Sequence, residues 1–554
     1  IDGLTGDLPI LREQSASAYY KEEAGALLIG AFEEKAKPWG MEGIPESFCF
    51  DELEEDWDHL MPILEGAMHR VPVVGDIGIR KFFNGPESFT PDDRFHIGES
   101  PELKHYFVAA GLNSIGLQSA GSVGKLMADW LVKGYPPAEL WGHDLRRMFP
   151  FQNTDLYLRE RVSETLGLLY ANHFPYRQYE TSRNIRHMPL HEKWQNLNAC
   201  FGEVSGWERP NWFAPKGVEA KYEYSFGRQN WFEYCADEVK AVRENVGLMD
   251  LSSFAKFDVV GKDALSVLQN VCANNVDVPL GRMVYTQWLN PRGGIEADLT
   301  VTRVAVDSFR VSTGGATAQR EWDWLTRHIP EGAHCFVNDV SSAYAVLGLM
   351  GPNSRSLLSR ICGADFSNES FPFASVQHVE IGCADVLACR ITYVGELGWE
   401  LVIPTELSRH VFDVIWEAGL NFNLKPIGMH AVDNLRLEKG YRHWGDDIAD
   451  GDTPLEAGLG FACKLKSDID FIGRTALEAQ KETGLSKRLV QFQRETPEPL
   501  LFHNEPILRN GESVGYITSG GYGHTLGAAI GMGYVKNSKG VTAPDWVKEG
   551  EYQV

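Results

Sequence analysis

"GGIEADLTVTRV", residues 293–304, carries the clearest local pattern in the chain. Ile295, Ala297, Leu299 and Val301 alternate with Glu296, Asp298, Thr300 and Thr302, the two-residue period of a β-strand with one apolar and one polar face. The glycine pair and Arg292 ahead of it predict a tight turn feeding the strand. A carboxylate and hydroxyls sharing one face admit two readings. The common one is a solvated outer face; the sharper one is a strand facing a polar ligand cavity.

Outward from this strand, the surrounding region mixes both periodicities. "FAKFDVV", "GRMVYTQWLN", "DSFRVST", "DVLACRITY" and "WELVIP" predict strands, and "KDALSVLQNVC" and "TAQREWDWLTRHI" predict helices. "TELSRHVFDVIWEAG" predicts a helix with Thr405 as N-cap, Gly419 just past its end, and Leu407, Val411, Val414, Ile415 and Ala418 on one face. Strands and helices in this order imply an α+β domain. From about Ser486, "KRLVQFQ", "EPILRNGESVGYITSGGYG" and "GAAIGMGYV" predict short strands joined by turns, a small β-barrel or sandwich.

Toward the N-terminus the texture differs. Residues 16–33 predict a β-hairpin, 51–69 a helix, "HYFVAAG" a strand, and "GLNSIGLQSAGSVGKLMADWLVKG" a glycine-punctuated segment becoming helical. That helix would bury Val123, Leu126, Met127, Trp130 and Leu131. Residues 141–215 have mixed helical character, and "GWERPNWFAP" at their end predicts a packed linker.

The 554 residues exceed one core and imply a multidomain chain. A net charge of -24 argues against nucleic acid partners, and no apolar run is long enough to imply membrane insertion. Nine scattered cysteines without a CxxC pair predict reduced thiols. That points to a bacterial cytoplasm, or alternatively a mitochondrial matrix. The first residues, "IDGLTGDLPILREQ", read like the middle of a domain.

Motif signals are selective. "GLQSAGSVGKL" has neither the first glycine nor the Ser/Thr of a nucleotide triphosphate loop, since Leu126 stands at that position; helix packing ranks above a diphosphate cradle. His187 and His191 are four apart with Pro189 between them, and no Cys/His cluster predicts a metal site. The richest constellation pairs "ITYVGELGWELVIP" (391–404) with "HAVDNLRLEKGYRHWGDDI" (430–448). Arg436 and Glu438 read as a structural clamp or ion pair. Tyr393 and Glu400, flanking a glycine turn, suit a flat heterocycle with N–H donors.

Together these stretches resemble the flavin-dependent dimethylglycine and sarcosine dehydrogenases and oxidases, in which an FAD amine-oxidoreductase half is fused to a half similar to the glycine cleavage T-protein. "NGPESFTPDDRFHIGESPEL" and "AGLNSIGLQSAGSVGKLMADWLVKGYPP" look like the end of the FAD half, and "GWERPNWF" like the connector. "GGIEADLTVTRV", "YVGELGWEL", "LRLEKGYRHWGDDI", "PLEAGL" and "DFIGR" look like the folate half. The resemblance implies an FAD/substrate portion over 1–140, a connector over 141–224, a folate-binding α+β domain over 225–484 and a β-barrel over 485–554. It implies oxidative demethylation of a small N-methyl amino acid, with oxygen or an electron-transfer flavoprotein as electron acceptor. Tetrahydrofolate would take the one-carbon unit as 5,10-methylenetetrahydrofolate. Asp298 matches the aspartate set against the folate amines, and Tyr285, Thr300, Tyr393, Glu400 and Tyr522 match folate-contacting positions. Gly111, Leu112, Asn113, Ser114, Ile115 and Gly116 match the segment along the flavin ring, with Phe89, Thr90, Pro91 and Asp92 as the neighbouring turn. The family's diphosphate fingerprint and amine-site residues would lie before residue 1. Two alternatives remain: a non-catalytic subunit like the regulatory subunit of pyruvate dehydrogenase phosphatase, and a folate-dependent aminomethyltransferase.

Overall fold

The computed structural model describes residues 1 and 3–554 and divides the chain into two compact units, Ile1–Arg183 and Asn184–Val554. The fold class is mixed, with antiparallel sheets and interspersed helices, as the periodicities predict.

In the first unit, Ala18–Glu23 and Ala26–Ala31 form the expected hairpin, with Leu11–Glu13 added at its edge. The predicted helix begins later than residue 51, at Trp57, because the Asp56 carboxylate accepts the His59 N–H and caps it there. Phe107–Ala110 pairs with His96–Glu99, and the helix Gly116–Lys133 follows. Val123, Met127 and Trp130 pack with Ile97 and Leu140, with Leu126 against them. Leu131 does not join them and stands exposed. From Gly116 onward the glycine-rich stretch is helix, and a Cβ at Gly121 or Gly124 would meet nothing within 4 Å, so neither glycine serves packing.

The second unit holds the larger sheets. Met283–Leu289, Ile295–Ala305, Ser308–Thr313, Ala255–Val260 and Phe336–Asp339 form a five-stranded sheet in that spatial order. A six-stranded sheet carries Val376–Ile381, Ala384–Cys389, Gly398–Pro404, Tyr344–Met350, Gly247–Asp250 and Lys425–Ile427. "GWERPNWF" is not a linker: Trp207–Phe213 pairs with Ala199–Val204 in a three-stranded sheet, and Trp212 is fully buried. The helix expected to start at Thr405 begins as a 3-10 turn, Thr405–Leu407, and becomes α-helical over Ser408–Gly419. The Thr405 hydroxyl donates instead to the Ser342 carbonyl, and Gly419 stays right-handed while Asn423 takes the left-handed position. The C-terminal strands Lys487–Gln493, Ala528–Lys536, Glu512–Gly523, Pro506–Arg509 and Tyr552–Gln553 make one five-stranded sheet. Asn510 and Gly511, both at positive φ, close its hairpin.

Candidate functional site

The strand Ile295–Ala305 enters through the turn its glycines predict. The Gly293 N–H donates to the Asn290 carbonyl at 2.8 Å, and a Cβ on Gly294 would lie 2.0 Å from the Asp450 carbonyl oxygen. Its apolar face is core: Ala297, Leu299 and Val301 join one cluster and Ile295 another. Its polar face is not a solvated surface. Glu296 is buried and pairs with Arg320, Thr302 is buried, and Asp298 and Thr300 are half-buried.

Asp298 accepts a hydrogen bond from Gln287 Nε2 at 2.8 Å and another from the Tyr285 hydroxyl. Burial pushes its carboxyl up to about 6; the two donors and the charges of Arg442 and His443 pull the other way. Burial, with Asp298 beside it, keeps the Tyr285 phenol protonated far above its ordinary range. Tyr285 also stacks on Phe461, and the two rings border a cleft of about 300 Å³ with Asn274, Arg282 and Lys464.

A second wall is the loop after the helix Met429–Glu438. The Tyr393 hydroxyl donates to the Arg442 carbonyl at 2.8 Å, and its ring stacks on Tyr441. The Trp444 indole N–H donates to the Ile295 carbonyl at 3.0 Å, which ties this loop to the Asp298 strand. Arg436 and Glu438 are structural, but not with each other. Arg436 clamps Asp447 at 2.6 Å, and Glu438 holds Arg243 at 2.9 Å. Residues two apart on a helix point different ways, so each finds its partner elsewhere.

Glu400 stands apart from this wall, opposite Gly348 and Cys389 in the six-stranded sheet. Burial raises its carboxyl to about 7, against the opposing charge of Lys256. Lys256 is itself buried, lowered by that burial to about 8, with its ammonium donating to the Ser252 and Phe254 carbonyls. Among the described residues no donor hydrogen-bonds Glu400, which leaves its half-buried oxygens able to accept. Tyr522 has other neighbours: its ring packs on Phe232 and His524 with Arg228 above it. The contacts joining Asp298, Tyr285 and Tyr393 do not include it.

Gln287 is the contributor that sequence reading missed. The partner strands change register between Trp288 and Leu289, and that bulge sets Gln287 opposite Asp298. Nothing in the alternation marks a bulge.

In the first unit, the two flavin-matching segments meet. Asn113 Oδ1 accepts the Thr90 N–H at 2.9 Å, and its Nδ2 donates to Thr90 Oγ1 at 3.1 Å. Gly111 has positive φ, and a Cβ there would strike the Thr90 methyl at 2.5 Å, so only glycine permits this approach. Asn113 and Ser114 also take positive φ. The helix then starts at Gly116 with no side-chain cap, leaving first-turn N–H groups for an electron-rich ligand edge. Pro91 accepts from the Thr165 hydroxyl, and Asp92 pairs with Arg147. Ile115 is exposed, Leu112 and Phe89 are half-buried, and these features suit a planar cofactor lying along the segment.

Comparison with known proteins matches this arrangement. The model of the GCVT N-terminal domain matches residues 190–467, and that of the glycine cleavage T-protein C-terminal barrel domain residues 487–554. The FAD dependent oxidoreductase model matches 3–130, and its central domain 133–187. The chain belongs to the family that fuses an FAD-dependent oxidoreductase to a T-protein-like half. FAD and tetrahydrofolate are the cofactors of these two halves. The chain is 43% identical over 554 residues to 4-methylaminobutanoate oxidase (formaldehyde-forming) of Paenarthrobacter nicotinovorans, covering all of this chain and 66% of that protein. It is 37% identical to the mitochondrial sarcosine dehydrogenase of Mus musculus, covering all of this chain and 64% of that one. The chain thus spans just under two thirds of the length of these relatives. The crystal structure of the glycine cleavage system aminomethyltransferase T from Bartonella henselae covers 63% of this chain and 90% of its own, at 26% identity and a TM-score of 0.55. Among the described residues no helix is long and apolar enough to cross a membrane, and no His, Cys, Asp and Glu side chains group as metal ligands.

Proposed function

We propose that the protein removes an N-methyl group oxidatively from a small amino acid and hands the carbon to tetrahydrofolate as 5,10-methylenetetrahydrofolate. Sarcosine, dimethylglycine and 4-methylaminobutanoate are the substrates to test, with oxygen or an electron-transfer flavoprotein as electron acceptor. FAD, when bound, supplies the two-electron oxidation. Thr90 and Asn113 hold the segment on which it would lie. In the second unit Asp298 is the acceptor for a proton lost from an amine nitrogen, while Glu400 and Tyr393 would hold the heterocycle. Tyr285, Thr300 and Tyr522 complete the proposed folate contacts. We infer that the change from flavin to folate work falls near residue 184, ahead of the bound at 224 drawn from sequence, with the barrel following the bound near 484.

The observation that carries this reading is Asp298. It is a half-buried carboxylate on a strand face, held by two neutral donors and paired with no cation. Asp447, by contrast, is sealed against Arg436 at 2.6 Å. A carboxyl lifted to about 6 is matched to accepting a proton near neutral pH. The same feature favours an enzyme over a regulatory subunit, which needs no such carboxylate. The oxidoreductase segments favour it over a stand-alone aminomethyltransferase.

The test uses the intact protein with each amine, with and without tetrahydrofolate. Asp298→Asn should leave amine-dependent flavin reduction intact and cut folate-dependent carbon capture about a hundredfold, releasing formaldehyde instead. Equal loss of both activities would refute the two-site reading.

A further inference from the structure

His443 lies in the loop just described, between two anchored neighbours. Arg442 is held through its carbonyl by Tyr393, and its Nε donates to the Ala457 carbonyl at 2.9 Å. Trp444 is held by the carbonyl of Ile295, three residues before Asp298 on the same strand. The His443 backbone N–H donates to Asp447 Oδ2 at 3.0 Å, and its carbonyl accepts the Asp447 N–H at 2.9 Å. Asp447 is itself fixed by Arg436 and by the Thr518 hydroxyl at 2.7 Å. The backbone carrying this imidazole is therefore fastened at several points, and through Trp444 it is tied to the strand that carries Asp298.

The side chain is different. It is 56% exposed, and its Nδ1 lies 2.7 Å from Asp446 Oδ2. That contact orients the ring and leaves Nε2 as the atom that exchanges protons with its surroundings.

Elimination among the groups that sense Asp298 singles this residue out. Gln287 does not titrate. The Tyr285 and Tyr393 phenols are held protonated by burial. Arg442 keeps its charge. Glu321 is buried away from water. Of these groups, His443 combines an ordinary range near neutrality with access to water.

We propose that His443, oriented by Asp446, is the proton relay that returns Asp298 to its basic form by passing its proton to solvent. The proposal rests on the carbon-transfer reaction above. Joining one formaldehyde carbon to two amine nitrogens forms two carbon–nitrogen bonds and breaks both bonds from carbon to oxygen. The oxygen leaves as water, balancing the two nitrogen protons. Asp298 takes the proton released as the second bond forms, His443 Nε2 receives it, and solvent takes it from the imidazole. The departing hydroxyl draws its proton from solvent, so the protein ends each cycle unchanged.

Charged groups around the dyad come from several elements. Arg436 and Asp433 face it from the helix 429–438, Asp298 from its strand, and His503 lies toward Asp446. Crowding by protein atoms would lower the imidazole; the Asp446 hydrogen bond and charge more than offset it, and the net direction is up.

The relay is tested in the intact protein by His443→Gln, Asp446→Asn and Asp298→Asn. The His443 titration is followed first, by histidine-selective NMR without folate. Asp298→Asn should move it down by about half a pH unit as a neighbouring negative charge is lost. His443→Gln should leave the tetrahydrofolate dissociation constant within about twofold and slow carbon capture about tenfold at pH 7, with the rate restored by added imidazole. Asp446→Asn should shift the pH profile to lower pH with a smaller loss. Unchanged capture and pH profile in His443→Gln, while Asp298→Asn loses capture, overturns the relay alone. Loss in His443→Gln that imidazole does not restore also overturns it, because the residue then only holds the loop. Undiminished capture in Asp298→Asn overturns the underlying reaction.

Discussion

The two units treat their apolar and charged side chains differently. In Ile1–Arg183, large apolar groups stand in the open: Phe50, Leu117 and Val132 are almost wholly exposed, and the buried clusters are small. In Asn184–Val554, Trp194, Trp212, Trp288 and Trp399 are buried almost completely, and Trp194, Trp288 and Trp399 sit within the two largest clusters. Ion pairs of both kinds occur in the first unit, where Lys125–Asp129 sits on an exposed helix face and Arg146–Asp144 is buried; in the second, Arg436–Asp447 is sealed at 2% and 0% side-chain exposure. The second unit therefore draws its stability from its own interior, and its polar groups count because water cannot replace their partners. The first unit offers surface on which other groups can pack.

The largest expected effect tests the sealed pair. Asp447→Ala removes the sealed partner of the Arg436 guanidinium, leaves it only the more exposed Asp433 carboxylate, and releases the 441–448 loop; it should cost about 3 kcal/mol in denaturant unfolding of the second unit. A cost below about 1 kcal/mol would show that Asp433 alone suffices for the buried charge.

Next comes Glu400→Gln, which keeps shape but replaces a charged acceptor with a neutral amide. Tetrahydrofolate affinity should fall about tenfold to a hundredfold, from the roughly 1.5–3 kcal/mol of a charge-assisted hydrogen bond. Unchanged affinity with a lowered melting temperature would assign Glu400 to packing beside Lys256.

Asp298 yields a pH prediction of similar or smaller size. Its folded carboxyl is raised to about 6, above the unfolded value near 4. The folded state therefore holds the proton more tightly, and stability falls as pH rises between those values. Asp298→Asn lacks this penalty. Its stability relative to the parent should rise by on the order of 1–3 kcal/mol from pH 4 to pH 6 and stay level above pH 7. A difference that does not vary with pH would mean the carboxyl is not raised.

The smallest effect belongs to the exposed helix of the first unit. Lys125→Ala should change stability by less than about 0.5 kcal/mol, since the pair with Asp129 is open to water. Leu117→Ser should be similarly silent for stability while improving solubility. A large loss at either position would mean this helix face is covered in solution.

Much of the fold was legible because its signals are local. The alternation of 295–302 and the apolar face of the helix that ends at Gly419 each involve neighbouring residues whose backbone geometry follows from their own chemistry. Errors arose where a distant contact overrode a local cue. Thr405 found Ser342 rather than a helix terminus, and Trp207–Phe213 became an inner strand despite its proline and glycine flanks.

The sequence by itself determined the element types, the family and the identity of Asp298, Tyr393 and Glu400 as residues worth following. Only the tertiary structure decided what surrounds them. A bulge at Trp288 chose Gln287 as the partner of Asp298, and the Trp444 bond to Ile295 brought the His443–Asp446 dyad to the same wall. Burial then set the protonation of Asp298 and Glu400. Periodicity is written in contiguous residues, but convergence and desolvation depend on which distant segments close over a side chain, and that is settled only when the sheets pack.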